Sequence, residues 1–392
     1  MEDRFLGMEE VGGSIPPRSI FYTILRRIRL DFNTSYYLRR YYTPINNIWI
    51  DLSLFLIFNF ILLGIFSSFV FFFYKSYILA KSKENKEGMR NSALLVIAIS
   101  CIVAFYLIYS ILIGWPLIPY PFDALMLMWC GIIVGIQFLY KKFHKPKEAL
   151  LGTYTKKSEF TPKKELQRKA THLIVLLLIA VYFGLGGVVY DFIDFLIYSV
   201  DQMNVNIWGI SGLYFPRENS TLAMALLGMI GAFFLILIPE TFRLFSPDNY
   251  MLRKAPKLMR KNEEFAPAAP VCLITASMIP FVTIPNLNIA FSGVTMAVIG
   301  DALASIFGRK YGKYKISFFP SKSYEGLVAG VLFSFLSGLT LLIFEFDLIH
   351  ALLLALIGSL ILGFVDLLDI QISDNILNPI FVCLGMFLFS FI

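Results

Sequence analysis

Apolar residues in this chain gather into long uninterrupted blocks, near 48–74, 91–113, 121–140, 172–190, 220–239, 269–286, 288–307, 324–345, 347–365 and 375–392. Crossing a hydrocarbon core of about 30 Å takes about 20 helical residues, and each block is close to that length. The pattern predicts an all-α, polytopic membrane protein of about ten transmembrane helices. Composition agrees: 57% of the 392 residues are hydrophobic, 16% are charged, and mean hydropathy is +0.71, which excludes an ordinary water-soluble domain.

The polar stretches between the blocks give an orientation. Residues 141–171 hold ten Lys or Arg against three acids, 241–268 six against three and 308–323 five against none, whereas 191–218 hold one against four. Basic loops stay on the cytoplasmic side, so these three are expected there. Residues 1–47 form a polar tail with seven arginines and five acids, and an interfacial helix is expected around "SIFYTILRRIRLDF". Three spans between tail and first basic loop would put that tail outside, against the same rule. The basic loop 141–171 is the best internal boundary, dividing an N-terminal transmembrane region, 48–150, from a C-terminal region, 165–392, where function is expected. The net charge of +7 is spread over loops rather than along one face, so no nucleic-acid partner is expected. Cys101, Cys130, Cys272 and Cys383 lie in apolar runs without metal-ligand spacing and read as packing residues, as do His144, His172 and His350.

Candidate chemistry concentrates in "GDALASIFGRKYGKYKISFFPSKSYEGLVAG", residues 300–330. An ionised carboxylate in lipid costs at least about 2.5–3.5 kcal/mol, so Asp301 must face a polar cavity, a cation or a basic partner such as a lysine. Gly300, Ala302, Ala304 and Ser305 suit close helix packing. Gly308 and Gly312, four apart in a basic stretch with Lys310, Lys313 and Lys315, suit a polyphosphate or the turns of a positive loop. At "SKSYEG", Lys322, Ser323, Glu325 and Gly326 restart a helix whose first turn favours an anion. A buried Asp paired with that turn suggests metal-bound phosphates, the Asp holding Mg²⁺. Asp366, Asp369 and Asp374, in the turn before the last span, are either a solvated acidic turn or metal ligands and a base for an alcohol. "RKATH" opens a span with Arg168, Lys169 and His172; "PETFR" places Glu240 and Arg243 as an i,i+3 pair; "LMRKNEE" adds Arg260 and Glu263.

Taken in order, these blocks resemble the CTP-dependent polyprenol kinases, the family of dolichol and phytol kinases, from about residue 165 to the C-terminus. The resemblance rests on "RKATH", "PETFR", "LMRKNEE", the Gly-Asp block running through "GRKYGK" to "KSYEG", and Asp366 followed by "SDNILNP". It implies transfer of the γ-phosphate of CTP to the terminal hydroxyl of a long isoprenoid alcohol in the bilayer, with Mg²⁺. Asp301, Asp366, Asp374, Lys322 and Glu325 would be catalytic, with Asp301 and Asp374 on the metal and Asp374 as base or second ligand. Gly300, Gly308, Gly312, Lys313, Lys315, Ser323, Gly326 and Asn375 would bind the nucleotide, joined by Arg168, Lys169, His172, Glu240, Arg243, Arg260 and Glu263. The membrane would be the endoplasmic reticulum or a prokaryotic cytoplasmic membrane, with the nucleotide site facing the cytoplasm. An acid shorter than the family's usual Glu stands at Asp366, and the first 150 residues lie outside the resemblance.

Two other readings remain at this point. A CTP:phosphatidate cytidylyltransferase shares the membrane Asp, the GxxxGK stretch and the K-T/S-x-E-G turn, but its Gly-His-Gly-Gly block is missing here. A transporter or lipid scaffold would use the intramembrane Asp as part of a path, yet the chain has no duplicated halves.

Overall fold

The computed structural model describes residues 48–113, 122–143, 166–169, 217–247, 250–252, 255–284, 286–317, 319–368 and 371–391. The polar tail, the 172–190 block and most of the loops 141–171 and 191–218 lie outside the described residues.

Nine helices occur among the described residues, one for each expected apolar block outside 172–190. They are α1 (Ile48–Ser82), α2 (Lys86–Ile113), α3 (Phe122–Phe143), α4 (Arg217–Phe245), α5 (Ala269–Thr283), α6 (Leu287–Tyr311), α7 (Tyr324–Leu342), α8 (Leu348–Leu367) and α9 (Asp374–Phe389). Six of them are long and apolar enough to cross a membrane, whereas α5, α9 and the apolar part of α3 are shorter. The chain is a helical membrane protein. Among the described residues the one departure from an all-α fold is a small antiparallel ladder of β1 (Lys315–Ile316) and β2 (Phe319–Ser323) between α6 and α7.

Local signals explain the helix ends. Asn286 caps α6 by accepting from Ile289 N, Ser323 caps α7 by accepting from Gly326 N, and Asp347 caps α8 by accepting from Ile349 N and His350 N. The boundary between α5 and α6, least marked in the sequence, falls between Thr283 and Leu287. His350, expected to be packed, is exposed and pairs with Asp347.

Helix α6 is the hub. Its first half is buried from Ile289 to Val298, and it packs against α5, α7, α8 and α9. Helix α5 also touches α2 and α4, which tie α1 and α3 to the same body. The apolar core is continuous from Phe69 and Phe233 through Ile274 to Met296 and Met386. Outward-facing Val328, Leu332 and Leu336 on α7, and Leu356, Leu360 and Phe364 on α8, are exposed large apolar residues at helical spacing, as a lipid-facing surface requires.

Candidate active site

At one end of the bundle, the C-terminal ends of α6 and α8 meet the N-terminal ends of α7 and α9 around a cavity of about 750 Å³. Two helix N-termini therefore present their positive ends to it. Asp301 comes from α6, Asp366 from α8 and Asp374 from α9, and a carboxylate oxygen from each lies within 4.8 Å of the other two. Helix α6 runs on to Tyr311, so Asp301 lies about 15 Å from the helix end at 1.5 Å per residue, where it lines the cavity.

Cations balance the acids. Lys169, 5% exposed, forms an ion pair with Asp301. Lys322 Nζ lies 2.6 Å from Asp366 and 3.8 Å from Asp374. Burial pushes Lys169 below the usual lysine value, with the Asp301 carboxylate pulling the other way. Burial also pulls Lys322 down, but Asp374 and Asp366 outweigh it and hold its ammonium above the usual value. Burial pushes Asp374 up to about 6, with Lys322 pulling it the other way. Arg168, Arg260, Arg309 and Lys315 add positive charge around the wall.

The donor set fits a hard divalent cation. Mg²⁺ binds oxygen at about 2.0–2.1 Å, so oxygens on one ion are at most about 4.2 Å apart. The three carboxylates, now within 4.8 Å of one another, reach that spacing after a shift of about half an ångström.

The glycines have a second task beside the one expected of them. A Cβ on Gly326 would meet the Ala304 carbonyl oxygen at 2.8 Å and Gly308 Cα at 3.0 Å, so α6 and α7 approach backbone to backbone. A Cβ on Gly312 would strike the Gly308 carbonyl and Ser323 Oγ. The close approach holds Lys322 and Ser323 over the carboxylates. Gly308, Gly312 and Gly326 still line the cavity, whereas Gly300 faces Gly330, Ser334 and Leu362.

Of the other expected residues, Arg168, Lys169, Arg260, Glu263, Ser323 and Asn375 line the cavity, as does Lys315. Glu325 does not. Its carboxylate accepts from Lys313 N at 2.9 Å and Tyr314 N at 3.1 Å, which makes it a brace for the loop after α6, and the Lys313 side chain is exposed. Glu240 and Arg243 are also placed elsewhere. They form a buried two-pronged pair, Arg243 Nε to Oε2 at 2.8 Å and Nη2 to Oε1 at 2.7 Å. Arg243 further donates to the carbonyls of Glu263, Glu264 and Ala266, and Glu240 accepts from Ala268 N. The i,i+3 reading holds, and the pair supports the loop that carries Arg260 and Glu263. His172 and Asp369 lie outside the described residues.

Several cavity residues were not anticipated. Arg309 and Ser305 lie on α6 inside the quoted block; Glu87 and Asn91 lie on α2, so the cavity wall includes residues from before 165. Asn91 Oδ1 accepts from Ser373 N at 2.8 Å, directly before Asp374. No family model, curated protein or solved structure matches the chain.

Proposed function

We propose that this protein is a CTP-dependent lipid kinase that phosphorylates the terminal hydroxyl of a long isoprenoid alcohol such as dolichol, a shorter polyprenol or phytol. The observation that carries the reading is the meeting of Asp301, Asp366 and Asp374 with Lys169 and Lys322 in a cation-rimmed cavity at one end of a lipid-facing bundle. A phosphate donor from water and an acceptor from lipid can meet only at such a boundary.

In this reading Arg168, Arg260, Arg309 and Lys315 hold the phosphates of CTP, and Asp301 and Asp374 hold Mg²⁺. Bound there, Mg²⁺ neutralises charge on the β- and γ-phosphates. The alcohol oxygen bonds to the γ-phosphorus as the bond to the bridging oxygen breaks, and CDP leaves with that electron pair. The hydroxyl proton passes to one of the three carboxylates, and Lys322 offsets charge on the transferring group. The chain would span the membrane about ten times, in the endoplasmic reticulum or a prokaryotic cytoplasmic membrane, with the cavity facing the cytoplasm.

The test uses purified protein with Mg²⁺, γ-labelled CTP and a panel of phytol, geranylgeraniol and dolichol. Label in a polyprenyl phosphate, with CDP released, supports the kinase. Pyrophosphate released from CTP when phosphatidate is supplied, with no label in the alcohols, makes the protein a cytidylyltransferase instead.

A further inference from the structure

One wall of the large cavity differs in chemistry from the rest. Glu87, in the first turn of α2, and Asn262, in the loop before α5, both line it and are half-buried. Among the described residues neither side chain makes a hydrogen bond or an ion pair. Their backbones are tied together by Asn85, which donates from Nδ2 to the Asn262 carbonyl at 2.6 Å and accepts at Oδ1 from Gly88 N at 2.9 Å. The neighbouring acid Glu263 is already engaged, its Oε2 accepting from Arg260 N at 2.9 Å. Beside them Pro267, Ala269 and Cys272 are buried and uncharged.

Two links place this wall relative to the aspartates. Asn91 accepts from Ser373 N, next to Asp374, and Glu87 lies one turn, about 6 Å, earlier on α2. On the loop side, Arg260 stands within electrostatic range of Lys169, the partner of Asp301, and Asn262 comes two residues later. A triphosphate that starts at Asp301 and Asp374 and follows Arg260 therefore points its nucleoside at Glu87 and Asn262. The cavity of about 750 Å³ has room for both parts.

A carboxylate turned into a cavity for a polyanion repels it, unless it meets an N–H at the uncharged end of the ligand. The helix dipole favours an acid in the first turn of α2, but does not require one that lines the cavity. Cytosine offers its N4 amino group as donor with N3 and O2 as acceptors, whereas uracil turns an O4 acceptor and an N3–H outward. Glu87 accepts and the Asn262 amide can donate, a pair that matches cytosine and sets acceptor against acceptor at uracil O4.

We infer that this wall reads the base: Glu87 accepts from the N4 amino group of cytosine and Asn262 donates to N3, so CTP is taken and UTP refused. The inference rests on the kinase reading and adds to it the residues that choose the donor nucleotide.

The experiment uses the full-length protein in lipid nanodiscs and has two arms. In the first, transfer to geranylgeraniol is measured with CTP and with UTP. Wild type is expected to favour CTP in kcat/KM by at least about 100-fold, and Glu87→Gln, whose amide can turn its N–H toward O4, to bring the ratio within about tenfold, through KM. No preference for CTP in the wild type, or one that Glu87→Gln retains, overturns the base assignment and leaves phosphate transfer standing. Glu87 has no hydrogen bond to lose, so the variant should melt within about 2 °C of wild type, and a clear loss of stability overturns the assignment as well. In the second arm, calorimetry measures binding of CDP and of UDP with Mg²⁺ to both proteins. Tighter binding of CDP by wild type, lost in Glu87→Gln, supports the assignment. Equal binding of the two by wild type, binding of neither, or a preference that survives the substitution overturns it. Absence of phosphate transfer from CTP to any alcohol overturns the kinase reading, and the comparison of CDP with UDP then decides the base assignment by itself.

Discussion

Lys322 reaches Asp366 at 2.6 Å and Asp374 at 3.8 Å, so one ammonium joins two acids from opposite sides of the turn between α8 and α9. Without it, two carboxylates in close range repel each other and lose their fixed spacing. Lys322→Met is expected to lower phosphate transfer by about 10²–10³, the usual loss when one preorganised charge is removed. Steady-state kinetics in Mg²⁺ checks this.

The same pair has a defined pH behaviour. The folded-state value of Lys322 is raised, because Asp374 and Asp366 outweigh burial. A raised value contributes stability that is fully present below the unfolded lysine pKa of about 10.4 and is lost as pH rises through the higher folded value. The gap in melting temperature between wild type and Lys322→Met should therefore widen as pH rises through about 6, where Asp374 ionises beside Lys322, and then persist to about pH 9. A gap that closes within that window would mean a neutral Lys322.

Asp301 and Lys169 form a buried pair, and removing one partner leaves the other without compensation. Asp301→Asn is expected to abolish transfer and to cost up to about 3–5 kcal/mol of stability. The penalty is limited by Lys169 itself, which burial already pushes toward the neutral form and which loses its opposing carboxylate in the variant. Asp301→Asn with Lys169→Met should recover most of the stability and none of the activity, which thermal melts and label transfer read separately. Full recovery of transfer would remove Asp301 from the chemistry.

Much of this was legible in the chain. Nine of the ten apolar blocks correspond to described helices because hydrocarbon length is a one-dimensional constraint. Asp301 stood out because a carboxylate in an apolar run is costly, whereas Asp366 and Asp374 read equally as a solvated turn until the structure brings all three together. Glycine spacing was harder to read. GxxxG serves an anion cradle or a close helix crossing equally well, and only the carbonyl opposite Gly326 identifies the crossing. Glu325 looked like a first-turn acid at an anion site, but its partners are backbone N–H groups eleven and twelve residues back. The β1–β2 ladder has too few residues to impose a pattern. Asn91 and Ser373 are 282 residues apart, and a single hydrogen bond across that span leaves no periodic trace.

Glu240 and Arg243 separate support from binding. Both are buried, and together they hold four backbone groups of the 263–268 segment. Glu240→Gln is expected to cost about 3–5 kcal/mol, since the guanidinium stays buried without its charge partner. At a temperature where the variant is folded, KM for CTP should rise only modestly, about two- to threefold, through the displaced Arg260 loop. A rise of a hundredfold with unchanged melting would instead mean that the pair touches the nucleotide directly.

The turn before α2 and the first turns of α2 itself grip the site on two sides. Asn85 Nδ2 donates to the Asn262 carbonyl at 2.6 Å, and Asn91 accepts from Ser373 N, the residue that precedes Asp374. Ser373 has no side-chain cap of its own for α9, so the Asn91 amide is what fixes the start of that helix. Asn91→Ala would leave that N–H without its partner, at a cost of about 1–3 kcal/mol concentrated in one turn. Amide hydrogen exchange should then speed up at 371–376 while α6 and α7 keep wild-type protection, and KM for CTP should rise about three- to tenfold. Unchanged exchange at 371–376 would mean that α9 holds its own N-terminus, and that the first helices only pack against the catalytic bundle. The expected result makes α2 part of what positions Asp374, because a carboxylate at a helix N-terminus is only as well placed as the turn before it.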